Sequence, residues 1–276
     1  MTGLPTGIPV LGGLFDVNSC MLGAGAVDAS RFSMTAGTWG INAIPSAAPV
    51  RSESITQCCR FYGGLPYVCI DSAPTSCTNL EWFARRILQT DRFDQVSEAV
   101  RRTAVDETLL YLPYLYAPMD LPSASGGFVG LRAHHTRTDL TRAVFEGIVF
   151  EHRRRMEKLQ AIGLDAKAIV LSGGAANSTV FAKLFADICG KEVFVPAQSE
   201  AGAMGGVIGS LQAMEANQVS DRCWRSLNRK LLTFDALKME FHTIKLPKAD
   251  KHCAICGEHP TITELIDYEQ VVCEDH

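Results

Sequence analysis

The 276-residue chain is 47% hydrophobic and 20% charged, with a formal net charge of −4, enough apolar material for a sizeable core in one large domain or two smaller ones. That balance speaks against a nucleic-acid surface, no apolar run reaches the ~18 residues of a membrane span, and no signal peptide precedes Thr2. Ten cysteines, mostly in apolar settings such as Val68-Cys69-Ile70 and Ile188-Cys189, predict buried thiols in a reducing cytoplasm rather than a disulfide framework.

Ile8 to Leu14 reads as an apolar strand with Gly12-Gly13 inside it, and Gly23 to Ala26 is small and flexible. Phe32 to Ala36 and Ile41 to Ile44 read as two short strands joined through Gly37-Thr38-Trp39-Gly40. Pro66 to Ile70 is a further strand, and Thr78 to Leu88 carries helical spacing in Leu80, Phe83, Ile87 and Leu88. Leu109 to Leu115, apolar and interrupted by proline, reads as a buried connection. A long helix is predicted from Thr138, which caps it, to about Leu159, with Leu140, Val144, Ile148 and Val149 on one face. Its basic cluster, His152 to Arg155, reads as a solvated face in preference to a phosphate-binding patch.

A strand from Ala168 to Leu171 follows, then the run Ser172-Gly173-Gly174-Ala175-Ala176-Asn177-Ser178 and a helix over Thr179 to Cys189. The strand Glu192 to Val195 and a small-residue helix from Ala201 to about Glu215 complete the pattern. Strands alternating with helices predict an α/β sheet with helices packed on its faces. After Asn217 the character changes. Residues 218–230 read as a junction between a first domain, 1–217, and a dissimilar tail, 231–276, which carries Cys253-Ala254-Ile255-Cys256.

Adjacent glycines between a strand and a helix let a backbone approach a flat ligand, and a helix N-terminus offers free N–H groups to anions. The Gly173-Gly174 turn thus has the form of one wall of a nucleotide pocket. Gly37-Thr38 is either a turn presenting N–H groups and a hydroxyl to phosphates or an ordinary hairpin. Asp16, after the first glycine-containing strand, is either a general base or a turn or capping aspartate.

Together these segments resemble the FGGY carbohydrate kinases of the sugar kinase, actin and Hsp70 superfamily, from about Gly7 to Asn217. The strongest likeness is Gly126-Gly127-Phe128-Val129-Gly130-Leu131, seven residues, then Asp139 to Glu146, which fits the family's C-terminal signature at every constrained position. The resemblance implies a ribonuclease H-like α/β domain with a mixed sheet and flanking helices, plus a small C-terminal extension. It implies Asp16 as catalytic base, ATP and Mg2+ as cofactors, and ATP contacts from Gly37, Thr38, Asn79, Gly173, Gly174, Ala175, Asn177 and Ser178. Ala73-Pro74-Thr75-Ser76 through Asn79-Leu80-Glu81-Trp82 is similar to members acting on pentuloses, particularly L-xylulose. In that family a sugar hydroxyl gives its proton to the aspartate and attacks the γ-phosphate of the nucleotide.

The departure from the family is large. Its members carry an N-terminal domain with an Asp-x-Gly-Thr phosphate turn and most of the sugar contacts, and no such turn occurs here. The chain alone is therefore expected to be inactive or nearly so, to need an N-terminal kinase half in trans, and to self-associate through the sheet face that half would cover. The segments Lys230 to Leu237, Phe241 to Leu246 and Cys253 to Thr263 resemble instead the C-terminus of E1-like adenylyltransferases of thiamine and molybdenum-cofactor synthesis. There the CxxC supplies half of a four-cysteine zinc site. Cys253 and Cys256 then hold zinc with help from His252, His259, Cys273 or His276, or the tail is unmetallated. A non-catalytic ATP-binding module and an adenylyltransferase remnant stand as alternatives to a kinase half.

Overall fold

In the computed structural model the residues described are 14–61, 64–105, 108–196, 205, 230–235 and 240–245. The chain divides into two compact units, Met1–Met214 and Glu215–His276.

The first unit is built on a six-stranded sheet. Its strands are β1 (Arg31–Ala36), β2 (Gly40–Ser46), β3 (Gln57–Arg60), β4 (Tyr67–Ala73), β7 (Ala168–Ser172) and β8 (Glu192–Phe194), in the order β3-β4-β2-β1-β7-β8. The first four pair antiparallel, whereas β1–β7 and β7–β8 are parallel. Both faces are covered, so the strands read as near-continuous apolar runs with a hidden alternation. Phe32, Met34, Cys69, Ile169 and Leu171 belong to the larger core cluster, while Val68, Ile70 and Val170 belong to the smaller one. The smaller face is closed by α1 (Asp16–Gly23) through Val17 and Met21.

The larger face carries α4 (Arg137–Ala161) and α5 (Thr179–Cys189), flanked by α2 (Cys77–Trp82) and α3 (Phe93–Arg102). Phe145 and Phe181 stack at 4.4 Å between α4 and α5. The two short strands β5 (Leu110–Leu112) and β6 (Gly127–Val129) pair antiparallel, and β5 packs on α4. Gly147 permits that approach, because a Cβ there would meet the Tyr111 carbonyl.

Several expectations are corrected. The stretch Leu109 to Leu115 contains a strand, and its partner is the Gly126–Leu131 signature segment. The helix expected from Thr78 starts at Cys77 and widens into a π-helical turn over Phe83–Leu88. The long helix is capped by Thr136, two residues earlier than expected: Asp139 Oδ2 accepts from Thr136 N and Oγ1, both at 2.7 Å, in a capping box. The cluster His152 to Arg155 is solvated only in part: Arg153 is exposed and Arg154 partly so, whereas His152 and Arg155 are each 1% exposed. Arg155 lies 2.9 Å from Glu151 and 3.0 Å from Asp71, both buried, and 3.1 Å from the more exposed Asp120.

In the second unit, β9 (Lys230–Asp235) and β10 (Glu240–Lys245) form an antiparallel hairpin, with Lys230 opposite Lys245 and Asp235 opposite Glu240. The junction expected at 218–230 lies outside the described residues except for Lys230, and so do Cys253 and Cys256.

Candidate functional site

β1 and β7 run side by side in the same direction, with Thr35 opposite Ser172 and their hydroxyls 2.9 Å apart. The chain leaves both strands at the same edge, where open α/β sheets place their ligands. The turn after β1 is Gly37–Trp39, and the turn after β7 is Gly173–Gly174. Gly173 adopts φ 85° and ψ −176°, a region essentially reserved for glycine. A Cβ there would lie 2.7 Å from the Ala36 carbonyl oxygen and 3.2 Å from Gly37 N. The missing side chain is what lets the two turns touch.

Beyond Gly173 the backbone makes one 3-10 turn, Gly174–Asn177. Ser178 then caps α5 by accepting from Phe181 N at 3.5 Å. On the facing side, Cys77 N donates to Gly37 O at 2.9 Å, and Thr78 Oγ1 donates to Thr38 O at 3.5 Å. Ser178 Oγ donates to Ser97 Oγ of α3 at 3.2 Å. These elements enclose a cleft of about 570 Å³ lined by Gly37, Thr38, Gly174, Ala175, Asn177 and Ser178, a volume within the usual small-ligand range. Thr78, Glu81, Phe93 and Ser97 form the opposing wall.

Six of the expected contact residues therefore meet at one cleft, with Gly173 directly behind them. Gly174 and Asn177 are exposed there, and a Cβ on Gly174 would meet nothing within 4 Å. The Gly37 N–H, expected to face phosphates, instead donates to Trp39 O at 3.2 Å within its own turn. The exposed residues of that turn are Thr38 and Trp39.

Asn79 does not line the cleft. It is fully buried, its amide donates to Thr75 Oγ1 and Ser76 O, and its carbonyl oxygen accepts from Tyr111 Oη at 3.2 Å. In this structure it is a framework residue that ties β5 to α2. Cys77, which does line the cleft, has its thiol pushed up to about 11 by burial, so it is a packing group and not a nucleophile.

Asp16 is the first residue of α1, where its Oδ1 accepts from Val17 N at 2.8 Å. Its side chain is exposed. The strand expected before it lies outside the described residues apart from Leu14. Among the described residues, no group of three or more His, Cys, Asp or Glu could hold a metal ion, and no helix is long and apolar enough to cross a membrane.

The α3 wall was missed at the level of sequence. Phe93, Val96 and Val100 at helical spacing were the available signal, and nothing local says that Ser97 faces a turn 81 residues away.

The mixed sheet, the helices on its faces and the cleft at the carboxyl ends of β1 and β7 define a sugar kinase and actin-like domain. Residues 33–215 match the C-terminal domain of the FGGY family of carbohydrate kinases, and the chain belongs to that family. It is 30% identical over 223 residues to a probable L-xylulose kinase of Haemophilus influenzae, covering 79% of this chain and 45% of that protein. The crystal structure of xylulose kinase from Rhodospirillum rubrum superposes with a TM-score of 0.68 at 25% identity, covering 77% of this chain and 44% of that one. A shorter match is 46% identical over 68 residues to the bovine adenylyltransferase and sulfurtransferase MOCS3, covering 25% of this chain and 15% of that protein. It is consistent with the resemblance of the tail to E1-like enzymes. The chain spans less than half the length of the curated relatives it matches.

Proposed function

We propose that this chain is the nucleotide-binding half of a pentulose kinase, and that the cleft between the Gly37 and Gly173-Gly174 turns takes the adenosine part of ATP. The observation that carries this reading is the convergence of the two turns with the start of α5 on a single cleft. The flat, side-chain-free surface of Gly174 suits a planar base or ribose. The α5 N-terminus adds favourable potential for the phosphates. Thr38 offers a hydroxyl at the tip of the facing turn.

ATP supplies the phosphoryl group, and a divalent cation, Mg2+ in this reading, accompanies its phosphates. Such a cation keeps several waters and needs few protein ligands. Asp16 would accept the proton of the attacking sugar hydroxyl, a task that suits an exposed carboxylate at the start of a helix. L-xylulose is the proposed acceptor, on the strength of the relatives' names.

By itself the chain is proposed to bind ATP without transferring its phosphate. Enclosure and alignment of an acceptor can account for ~7–11 kcal/mol of a barrier, and the sugar contacts of the family come from a second domain. A partner chain carrying an Asp-x-Gly-Thr turn would supply them. The tail is proposed as a separate module in which Cys253 and Cys256 form half a zinc site.

Calorimetric titration of the purified chain with ATP, followed by an assay with L-xylulose, tests the reading. Saturable binding without sugar phosphate is the expected outcome. No binding removes the nucleotide site, whereas robust phosphorylation by the chain alone removes the need for a partner.

A further inference from the structure

In the antiparallel pair β3–β4, Cys58 stands opposite Cys69, and the two sulfurs lie 3.5 Å apart. Such partners have Cα atoms about 4.5–5.5 Å apart, inside the roughly 4.4–6.8 Å over which a disulfide spans without backbone movement. Both are free thiols. Cys69 is fully buried, while Cys58 is half-buried on the edge strand of the sheet. Cys58 Sγ accepts hydrogen bonds from Cys69 Sγ and from Val50 N, each at 3.5 Å. The neighbouring Cys59 packs with the core on the other face, as strand alternation requires. Neither Cys58 nor Cys69 lines the nucleotide cleft.

We propose that Cys58 and Cys69 are a dithiol that a low-molecular-weight disulfide of the glutathione type oxidises to a reversible cross-strand disulfide. Cys58, the more accessible sulfur, loses its proton to solvent and attacks one sulfur of the reagent. A Cys58–reagent bond forms, the reagent's own S–S bond breaks, and one thiolate departs and takes up a proton. Cys69 then gives up its proton and attacks the Cys58 sulfur, releasing the second reagent thiol. Two protein thiols are oxidised and one reagent disulfide is reduced to two thiols. Burial and the neighbouring Cys58 hold the Cys69 thiol up at about 12, so the closing step speeds up as pH rises.

The bond would staple an edge strand that also anchors α1, because Asn18 Nδ2 donates to Arg60 O at 2.9 Å. Oxidation therefore fastens the strand beneath the helix that begins with Asp16.

The test uses the full chain, incubated folded with oxidised glutathione in mildly alkaline buffer, then unfolded in guanidinium, blocked with N-ethylmaleimide and digested without reduction. Trypsin cuts after Arg51, Arg60 and Arg85, so the bond joins peptides 52–60 and 61–85. Expected is the loss of two maleimide labels per chain and a mass lower by two hydrogen atoms, both reversed by dithiothreitol. The linked pair persists in Cys59→Ser and Cys77→Ser and disappears in Cys58→Ser and Cys69→Ser. Continued labelling of both thiols overturns the proposal, as does arrest at a glutathione adduct or a link that survives in Cys69→Ser. The wild-type labelling decides by itself if a serine variant does not fold.

Discussion

At φ 85° and ψ −176°, a residue with a side chain in place of Gly173 is strained by about 1–3 kcal/mol. Its Cβ would also press on the Ala36 carbonyl oxygen at 2.7 Å. Gly173→Ala should therefore lower unfolding stability by at least about 2 kcal/mol, as read in a urea titration. Gly174 answers to a different constraint, since an added Cβ meets nothing within 4 Å and projects into the cleft. We expect Gly174→Leu to fold with stability within about 1 kcal/mol of the parent and to bind ATP at least about tenfold more weakly, roughly 1.4 kcal/mol. A Gly174→Leu chain that binds ATP normally would place the nucleotide elsewhere. The dipeptide was legible in the sequence as a turn with a purpose. What the sequence could not show is which glycine serves the fold and which serves the ligand, because that depends on the Ala36–Gly37 backbone more than 130 residues away. Asn79 shows the same limit: its amide looks available on paper, yet Thr75, Ser76 and Tyr111 already engage it.

The element that carries the most charge into the interior is α4. Glu151, His152 and Arg155 project inward from it, and Lys158 reaches Asp71 at 2.9 Å. Replacing Arg155 by Met would leave Asp71 and Glu151 buried beside fewer cations, and breaking such a pair from one side costs about 3–5 kcal/mol. Urea titration of Arg155→Met should show a loss of that order, and an unchanged midpoint would mean that the network contributes nothing. His152 makes the helix pH-sensitive. Asn42 Nδ2 donates to the Asp71 carbonyl, so Asn42 Oδ1 accepts from His152 Nδ1 at 2.9 Å, and Nε2 lies 3.2 Å from Ser76 Oγ. The ring sits neutral in the fold. Burial depresses its pKa from 6.5 to about 4, so the unfolded chain takes up this proton more readily than the folded one. Its contribution is present in full above pH 6.5 and is lost as pH falls towards 4, roughly 3 kcal/mol in all. His152→Gln should flatten the stability profile across that window, and an unchanged profile would exclude His152 as its source. Periodicity located the strands and helices of the first unit well, because burial on two faces leaves a local pattern. It failed for β5 and β6, which are three residues each: β5 packs on α4, and β6 is held by its pairing with β5. It failed again for His152 and Arg155, because a run of charges reads as solvated until its distant partners, such as Asp71 and Asp120 of Arg155, are known.

As a whole the chain joins a domain matched over 33–215 to a unit that begins at Glu215 and contains the β9–β10 hairpin. The two resemblances differ in kind. The first was recognisable from the spacing of Gly126–Leu131 and Asp139–Glu146, whose structural reason is now visible: β6 pairs with β5, and α4 carries both the capping box and the core face. The second rests on wording in the tail, and its CxxC lies outside the described residues. If the nucleotide site is built only from the first unit, ligand binding must stabilise that unit alone. A ligand that binds only the folded form adds about 2.7 kcal/mol at a hundredfold excess over its Kd. Calorimetric unfolding of the full chain at that ATP concentration should raise the transition of the first unit accordingly. A chain ending at Met214 should show the same rise, because the described residues that line the cleft all belong to the first unit. Equal stabilisation in the two chains, with no sugar phosphate produced by either, is the result expected of a nucleotide-binding half. A rise confined to the full chain would move part of the site into the tail and overturn the assignment of the Gly37 and Gly173-Gly174 cleft as sufficient.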